Sequence, residues 1–296
     1  TLMSIKYIHR EHLDEEKYNQ CIDTSLQSKI YAFSWYLDVV CDQWAVLVLN
    51  DYEAVMPVPF RKKYLIQYVH PPLWILQLGI FSKRDYIQSD FISVIQKRFR
   101  FIELRLNVKN LFDTENSNFL EKQFQELELT TGYDNIKKGY QSDRKKDLKR
   151  AEKSELRIEW AGSPLDLITL FQNNVGKRTP EIKEQDYQNL ETLINFCLMK
   201  DCGELCFVYQ GEKLVAAAFF LKYQETSTIL CSSTDFSNRK NGANTFLIDQ
   251  AIQRYVNAYK TFSFGGSSMQ SVAKYFFSFG AQEKTYPMLM KRPKFL

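Results

Sequence analysis

The sequence predicts an α+β chain of two similar domains in tandem, each a mixed, mainly antiparallel sheet flanked by helices. Three observations predict it. The chain has 296 residues, room for two medium domains. One order of elements (hairpin, strand, loop, helix, strand) runs from Trp44 to Leu106 and returns from Leu205 to Phe264, and a repeat of that period signals duplication. Between the two copies lies a polar stretch, Gly132 to Gly139, with a glycine at each end, which fits a domain junction. The expected domains are therefore 1–132 and 140–296.

Each element follows from local pattern. Lys6 to Ile8 is a short strand, and Glu11 to Cys21 and Phe33 to Cys41 are helices. Trp44 to Leu49 and Ala54 to Phe60 are strands joined at Asn50-Asp51, residues that tolerate tight-turn backbone angles. Pro57 and Pro59 carry no N–H, so the second strand needs a free edge or a bulge. Strands at Leu65 to Val69 and Trp74 to Ile80 follow. A helix from Asp85 to about Phe99 places Phe91, Ile92, Ile95 and Phe99 at helical spacing. Phe101 to Leu106 and Phe124 to Leu129 are strands.

In the second half, a basic run from Ser142 to Ala151 reads as a helix with Ser142 as its N-cap, and a solvated face suits it, because acids interrupt the charge. Leu156 to Trp160 is a strand. Ser163-Pro164 opens a helix with proline where its missing N–H does no harm. Lys183 to Lys200 is another helix. Leu205 to Tyr209, Lys213 to Lys222 and Thr226 to Ser233 are strands, the middle one apolar enough to be covered on both faces. A polar loop, Asp235 to Asn241, leads into a helix from about Gly242 to Tyr259. Thr261 to Phe264 is a strand, Ser271 to Phe279 a helix, and Glu283 to Met290 the last strand.

Composition excludes several classes. Hydrophobic residues make up 45%, enough to bury a core and to argue against disorder. A net charge of +4 is too mild and too dispersed for a nucleic-acid stripe. No apolar run reaches the roughly 18 residues of a membrane span. Thr1-Leu2-Met3-Ser4 lacks the basic and apolar regions of a signal peptide, so a cytoplasmic address is expected. The six cysteines form no Cys-x-x-Cys pair; Cys197, Cys202 and Cys206 have no histidine beside them, so reduced thiols and no metal are expected.

The most informative segment is the strand-to-helix turn Asn238-Arg239-Lys240-Asn241-Gly242-Ala243-Asn244. The first N–H groups of a helix lack intrahelical partners and sit at the positive end of the helix dipole. A glycine there lets backbone approach a ligand, and the ensemble suits a phosphate or pyrophosphate. The plain alternative is a turn that uses glycine for backbone reasons, with solvated basic residues.

The succession from Leu205 to Phe264 resembles the GNAT superfamily of acyltransferases. There an Arg/Gln-x-x-Gly-x-Gly/Ala loop binds the pyrophosphate of acyl-coenzyme A; here Arg239-x-x-Gly242-x-Asn244 matches the first two fixed positions, with Asn244 at the third. Phe264-Gly265-Gly266-Ser267-Ser268, Lys274 to Ala281 and the basic run Arg144 to Lys153 resemble Fem-type aminoacyltransferases and their acetyltransferase-like relatives, commonly two GNAT domains in tandem. The resemblance runs from about Tyr140 to Met290. It implies two tandem GNAT-like domains, a degenerate N-terminal copy that shapes the acceptor cleft, and acyl-coenzyme A as donor in the C-terminal copy. The N-terminal copy has Ser82-Lys83-Arg84-Asp85 at the equivalent loop, without glycine. Where tRNA-using Fem enzymes often have Phe-Lys-x-x-Phe, this chain has Tyr275-Phe276-Phe277-Ser278-Phe279.

Acyl transfer to an amine needs a proton acceptor and donors for developing charge. Asp235 is the candidate base, although a loop aspartate commonly caps the next turn. Tyr275 is the candidate acid, with Tyr255 and Tyr286 as competitors; each also suits a core. His9, His12 and His70 lie outside the C-terminal half and form no triad signature. The expected function is N-acyl transfer from acyl-coenzyme A to an amine of a small-molecule or cell-envelope acceptor. The alternatives are Fem-type transfer from aminoacyl-tRNA and a non-catalytic binding module.

Overall fold

Near-continuous apolar hairpins carry the sheet in each half of the chain. The computed structural model describes residues 4–84, 89–110, 112, 118–266 and 270–293. The elements are, in order, β1 (Ile5–His9), α1 (Glu15–Thr24), α2 (Ser34–Val40), β2 (Gln43–Leu49), β3 (Ala54–Lys63), β4 (Ile66–Val69), β5 (Phe81–Ser82), α3 (Ser89–Arg98), β6 (Ile102–Arg105) and β7 (Phe119–Glu128). There follow α4 (Tyr133–Lys138), α5 (Ser142–Lys153), β8 (Leu156–Glu159), α6 (Pro164–Asn173), α7 (Glu184–Met199), β9 (Gly203–Gln210), β10 (Lys213–Tyr223), β11 (Thr226–Thr234), α8 (Ala243–Tyr255), β12 (Thr261–Ser263), α9 (Gln270–Phe277) and β13 (Gln282–Lys291). Two compact units result: Thr1–Lys122 with Thr285–Leu296, and Gln123–Lys284.

In the first unit β1, β2, β3 and β4 pair antiparallel in turn. On its outer edge β3 pairs with β5 at Ala54 and Val55 and with β4 from Phe60 onward. Pro57 and Pro59 fall in the gap between those ladders, so their missing N–H groups cost nothing there. β4 touches β6 in parallel at one pair, Val69 and Ile102. β6 then pairs antiparallel with the end of β13, from Arg105–Met288 to Ile102–Lys291.

The second unit repeats this order. β8, β9, β10 and β11 pair antiparallel, and β11 runs parallel to β12 over three pairs. β12 pairs antiparallel with the end of β7. Val215 to Leu221 of β10 are all buried; Ala216, Ala218 and Phe220 belong to a core completed by Leu247, Ile248, Ala251 and Ile252 of α8. Each unit is thus a mixed, mainly antiparallel sheet with helices, in the tandem order expected. The strand that closes each parallel pair comes from the other half of the sequence.

Some local expectations differ. Residues 74–80 form no strand; Pro71 and Pro72 remove two donors and Trp74 sits at a left-handed φ of 69°. The expected junction at 132–140 is the helix α4, begun at Gly132 with φ 83°, and the units divide at 122/123 and 284/285. Tyr133 and Tyr140 hold that segment by donating hydroxyl hydrogen bonds of 3.0 Å to the buried Asp249 of α8. Gln141, not Ser142, is the N-cap of α5, and α8 ends at Tyr255. Ser163 does cap α6, accepting from the Leu165 N–H at 3.2 Å. The expected start of α3 at Asp85 lies outside the described residues.

Candidate functional site

β12 ends at Ser263, opposite Thr228, whereas β11 continues to Thr234. The unmatched length of β11 opens a cleft of about 540 Å³. Its walls are Ile229 and 232–234 of β11, the first turn of α8, Arg144 and Asp147 of α5, and Ser271, Val272, Tyr275 and Phe276 of α9.

The turn that enters α8 is more ordered than a loop. Phe236–Asn241 is a 3-10 helix capped by Asp235, whose carboxylate accepts from the Ser237 N–H (3.0 Å) and hydroxyl (2.7 Å). Gly242 follows at φ 75°. A Cβ there would lie 2.2 Å from the Asp147 carbonyl oxygen of α5, so glycine is required by helix packing as well as by φ. The turn is therefore closed on its α5 side and open on its cleft side. Asn241 is buried, and its side-chain oxygen accepts the Ala243 N–H at 3.0 Å. The next intrahelical bond runs from the Phe246 N–H to the Gly242 carbonyl at 2.9 Å. Among the described residues the N–H groups of Asn244 and Thr245 have no acceptor, and both residues line the cleft.

Above these amides stands a small polar assembly. Thr245 Oγ1 donates to Asp147 Oδ2 at 2.9 Å, which leaves its lone pairs to accept from the Tyr275 hydroxyl at 3.0 Å and from Arg144 Nη1 at 3.3 Å. Arg144 also pairs with Asp147 at 3.2 Å, and its guanidinium lies 4.3 Å over the Tyr275 ring. Arg144 Nε is buried and has no partner. The Asn244 side chain adds a hydrogen bond to the Tyr275 hydroxyl. Burial pushes the Tyr275 phenol up to about 12, while Thr245, Arg144 and Asn244 pull it back.

The sequence-based candidates divide. Tyr275, Arg239, Gly242 and Asn244 line the cleft together. Lys240 is exposed and Ala243 buried, and neither lines it. The side chain of Asn238, with Ser267 and Ser268, lies outside the described residues. Asp235 caps the turn and pairs with Lys213, both of which hold its carboxyl below the usual range, and it does not line the cleft. Tyr255 is buried and donates to Glu204 at 2.8 Å, and Tyr286 belongs to the first unit. Arg144, Asp147 and Thr245 are the residues that sequence reasoning missed. The helix expected to be a solvated face is held against α8 by them; the trace in sequence was the i, i+3 spacing of Arg144 and Asp147 beside Arg150, which also pairs with Asp147.

Residues 138–275 match the family description "Acetyltransferase (GNAT) domain". This segment is a GNAT domain. It holds the whole cleft apart from Phe276. No curated protein sequence matches the chain. Among solved structures the chain is similar in fold to FemX, with 10% identity, TM-score 0.64, and 96% of each chain covered. It is similar to the C-terminal domain (DUF2156) of a putative lysylphosphatidylglycerol synthetase from Agrobacterium fabrum, with 10% identity, TM-score 0.57, and 95% and 92% covered. A tandem GNAT protein from the clavulanic acid biosynthesis pathway is similar over 98% of this chain and 100% of that one, with 9% identity and TM-score 0.54. The fold is thus a tandem GNAT fold, and the domain is of acyltransferase type.

Proposed function

We propose that the chain is an N-acyltransferase that moves an acyl group from acyl-coenzyme A to an amine. The observation that carries this reading is the cleft opened between β11 and β12, with the unpaired Asn244 and Thr245 amides at one end and the Tyr275 hydroxyl on its wall. The two amides and Arg239 suit the donor's pyrophosphate. The separated strand edge suits the extended pantetheine arm, since β11 offers backbone groups that β12 leaves unpaired beyond Thr228.

In the transfer, the amine nitrogen forms a bond to the thioester carbon and the carbon–sulfur bond breaks. The proton lost by the amine balances the one gained by the thiolate. Tyr275 is protonated throughout the neutral range and supplies a hydrogen bond to the departing sulfur. That role requires its hydroxyl to exchange Thr245 for the sulfur. No carboxylate base is assigned, because Asp235 is engaged in the turn.

The acceptor is proposed to be a small-molecule or cell-envelope amine. Support for the envelope comes from the fold likeness to FemX and to the putative lysylphosphatidylglycerol synthetase domain. Coenzyme A as donor draws support from the match of residues 138–275 to the acetyltransferase (GNAT) domain. Phe276 packs against Phe264 at 4.7 Å between ring centroids where tRNA-using relatives often have lysine, which favours the coenzyme A donor over charged tRNA. A cytoplasmic setting fits that donor, and no helix among the described residues is long and apolar enough to cross a membrane. Calorimetry with acetyl-coenzyme A is the test: micromolar binding supports the reading, and no binding at millimolar donor removes it.

A further inference from the structure

The hairpin that joins β3 to β4 runs on beyond its neighbour β2 in the first unit. β2 begins at Gln43, opposite Phe60, while Arg61, Lys62 and Lys63 pair onward with Tyr68, Gln67 and Ile66. Those pairs carry the tip about 10 Å past the end of β2. The turn is Tyr64-Leu65, and both residues have positive φ, 47° and 67°. A two-residue hairpin turn with both φ positive is the type I′ turn, where asparagine and glycine are the favoured pair. Tyrosine and leucine are strained there. Packing does not offset the strain: their exposures are 87% and 86%, the highest among the large apolar residues described, and Ile66 beside them is 48% exposed. The charge around the tip has one sign, since Arg61 to Val69 holds three cations and no acid. Asp42 pairs with Arg61 at 2.7 Å, whereas Lys62 and Lys63 are exposed and form no ion pair among the described residues. Lys63 Nζ lies over the Tyr64 ring, 5.6 Å from its centroid.

We propose that the Tyr64-Leu65-Ile66 tip is a shallow anchor that docks on an anionic membrane surface. Its three apolar side chains suit the boundary between headgroups and acyl chains, where the tyrosine ring is buried and its hydroxyl stays wet. Lys62 and Lys63 reach lipid phosphates from there, with their methylene stems along the apolar zone. Insertion stays shallow. β2 no longer covers Arg61 to Lys63, and β6 meets β4 only at Val69, so the outer backbone groups of the hairpin have no strand to pair with and must remain hydrated. The area argues against a protein partner: a stable interface takes roughly 20–30 residues a side, and this tip offers three. Lysines on a bare strand edge also discourage a second copy from pairing there. The hairpin belongs to the first unit and docks whether or not the chain binds coenzyme A.

Cosedimentation of the whole chain with lipid vesicles is the test, with phosphatidylcholine alone compared with an equal mixture of phosphatidylcholine and phosphatidylglycerol. The decisive variant is Tyr64→Asn with Leu65→Gly, which installs the favoured turn pair and so keeps or raises the melting temperature. The expected result is binding to the mixed vesicles that is weaker by about fivefold or more on phosphatidylcholine alone. In the turn variant, binding to the mixed vesicles falls about tenfold. Lys62→Gln with Lys63→Gln lowers it by about fivefold or more. No binding to the mixed vesicles at millimolar lipid, or affinity in the turn variant within about twofold of the unaltered chain, overturns the proposal. Equal binding to the two kinds of vesicle also overturns it, because the lysines then play no part. A dimer in sedimentation velocity that the turn variant abolishes, without vesicle binding, assigns the tip to a second copy and overturns it likewise.

Discussion

At the scale of single residues, Tyr275 and Asp235 separate chemistry from support. The Tyr275 hydroxyl lines the cleft, hydrogen-bonded to Thr245, and its proton is held up to about pH 12 by burial. Tyr275→Phe keeps the ring beneath Arg144 and removes only the hydroxyl. The expected outcome is a fall in kcat of about 10²-fold, with the donor dissociation constant changed less than about twofold. Because the folded phenol titrates above its ordinary value, the protonated form persists as pH rises through 10. The kcat profile should therefore show no descending limb from this residue between pH 8 and 10, and a limb near 10 would contradict the assignment. Asp235 behaves oppositely. Asp235→Asn should lower stability by about 1 kcal/mol at neutral pH through the weakened cap, measured by urea denaturation, and leave kcat within about threefold. Its carboxyl titrates below the ordinary value, so this stabilisation is present at neutral pH and fades as pH falls through the folded value. A hundredfold loss of kcat would restore Asp235 as the base.

At the scale of elements, α5 and α8 act as one piece. Gly242 brings the start of α8 against the Asp147 carbonyl, while the Asp147 side chain ties Thr245 and Arg144. Gly242→Ala is expected to cost about 2–4 kcal/mol, since it sets a Cβ against backbone and a side-chain residue at positive φ. Thermal denaturation measures it, and a loss below about 0.5 kcal/mol would show that α5 yields freely. The glycine and its place between strand and helix were legible in sequence. Its reason was not, because the opposing carbonyl is 95 positions away and belongs to a helix whose charges read as a solvated face.

At the scale of the whole molecule, the sheets are closed by exchange. β6 of the first unit takes its antiparallel neighbour from the end of the chain, and β12 of the second takes β7. Removal of residues 285–296 should therefore damage the first unit and not the one that holds the cleft. Hydrogen exchange is expected to lose protection in Ile102–Arg105 while β9, β10 and β11 keep theirs. Loss confined to β9–β11 would contradict the division of units.

Sequence alone determined most of the elements and their duplicated order, residues 74–80 and α4 excepted, because periodicity, turn residues and caps act over a few neighbouring positions. It also marked the strand-to-helix turn at Gly242 and the tyrosine in α9. Tertiary structure decided which strands close each sheet, that Asp235 faces Lys213 instead of the cleft, and that Arg144, Asp147, Thr245 and Tyr275 meet. The meetings of Arg144 and Asp147 with Thr245 and Tyr275 join residues about a hundred or more positions apart. Their energy comes from burial and paired hydrogen bonds made only after the chain has packed, so they leave no periodic mark in the sequence.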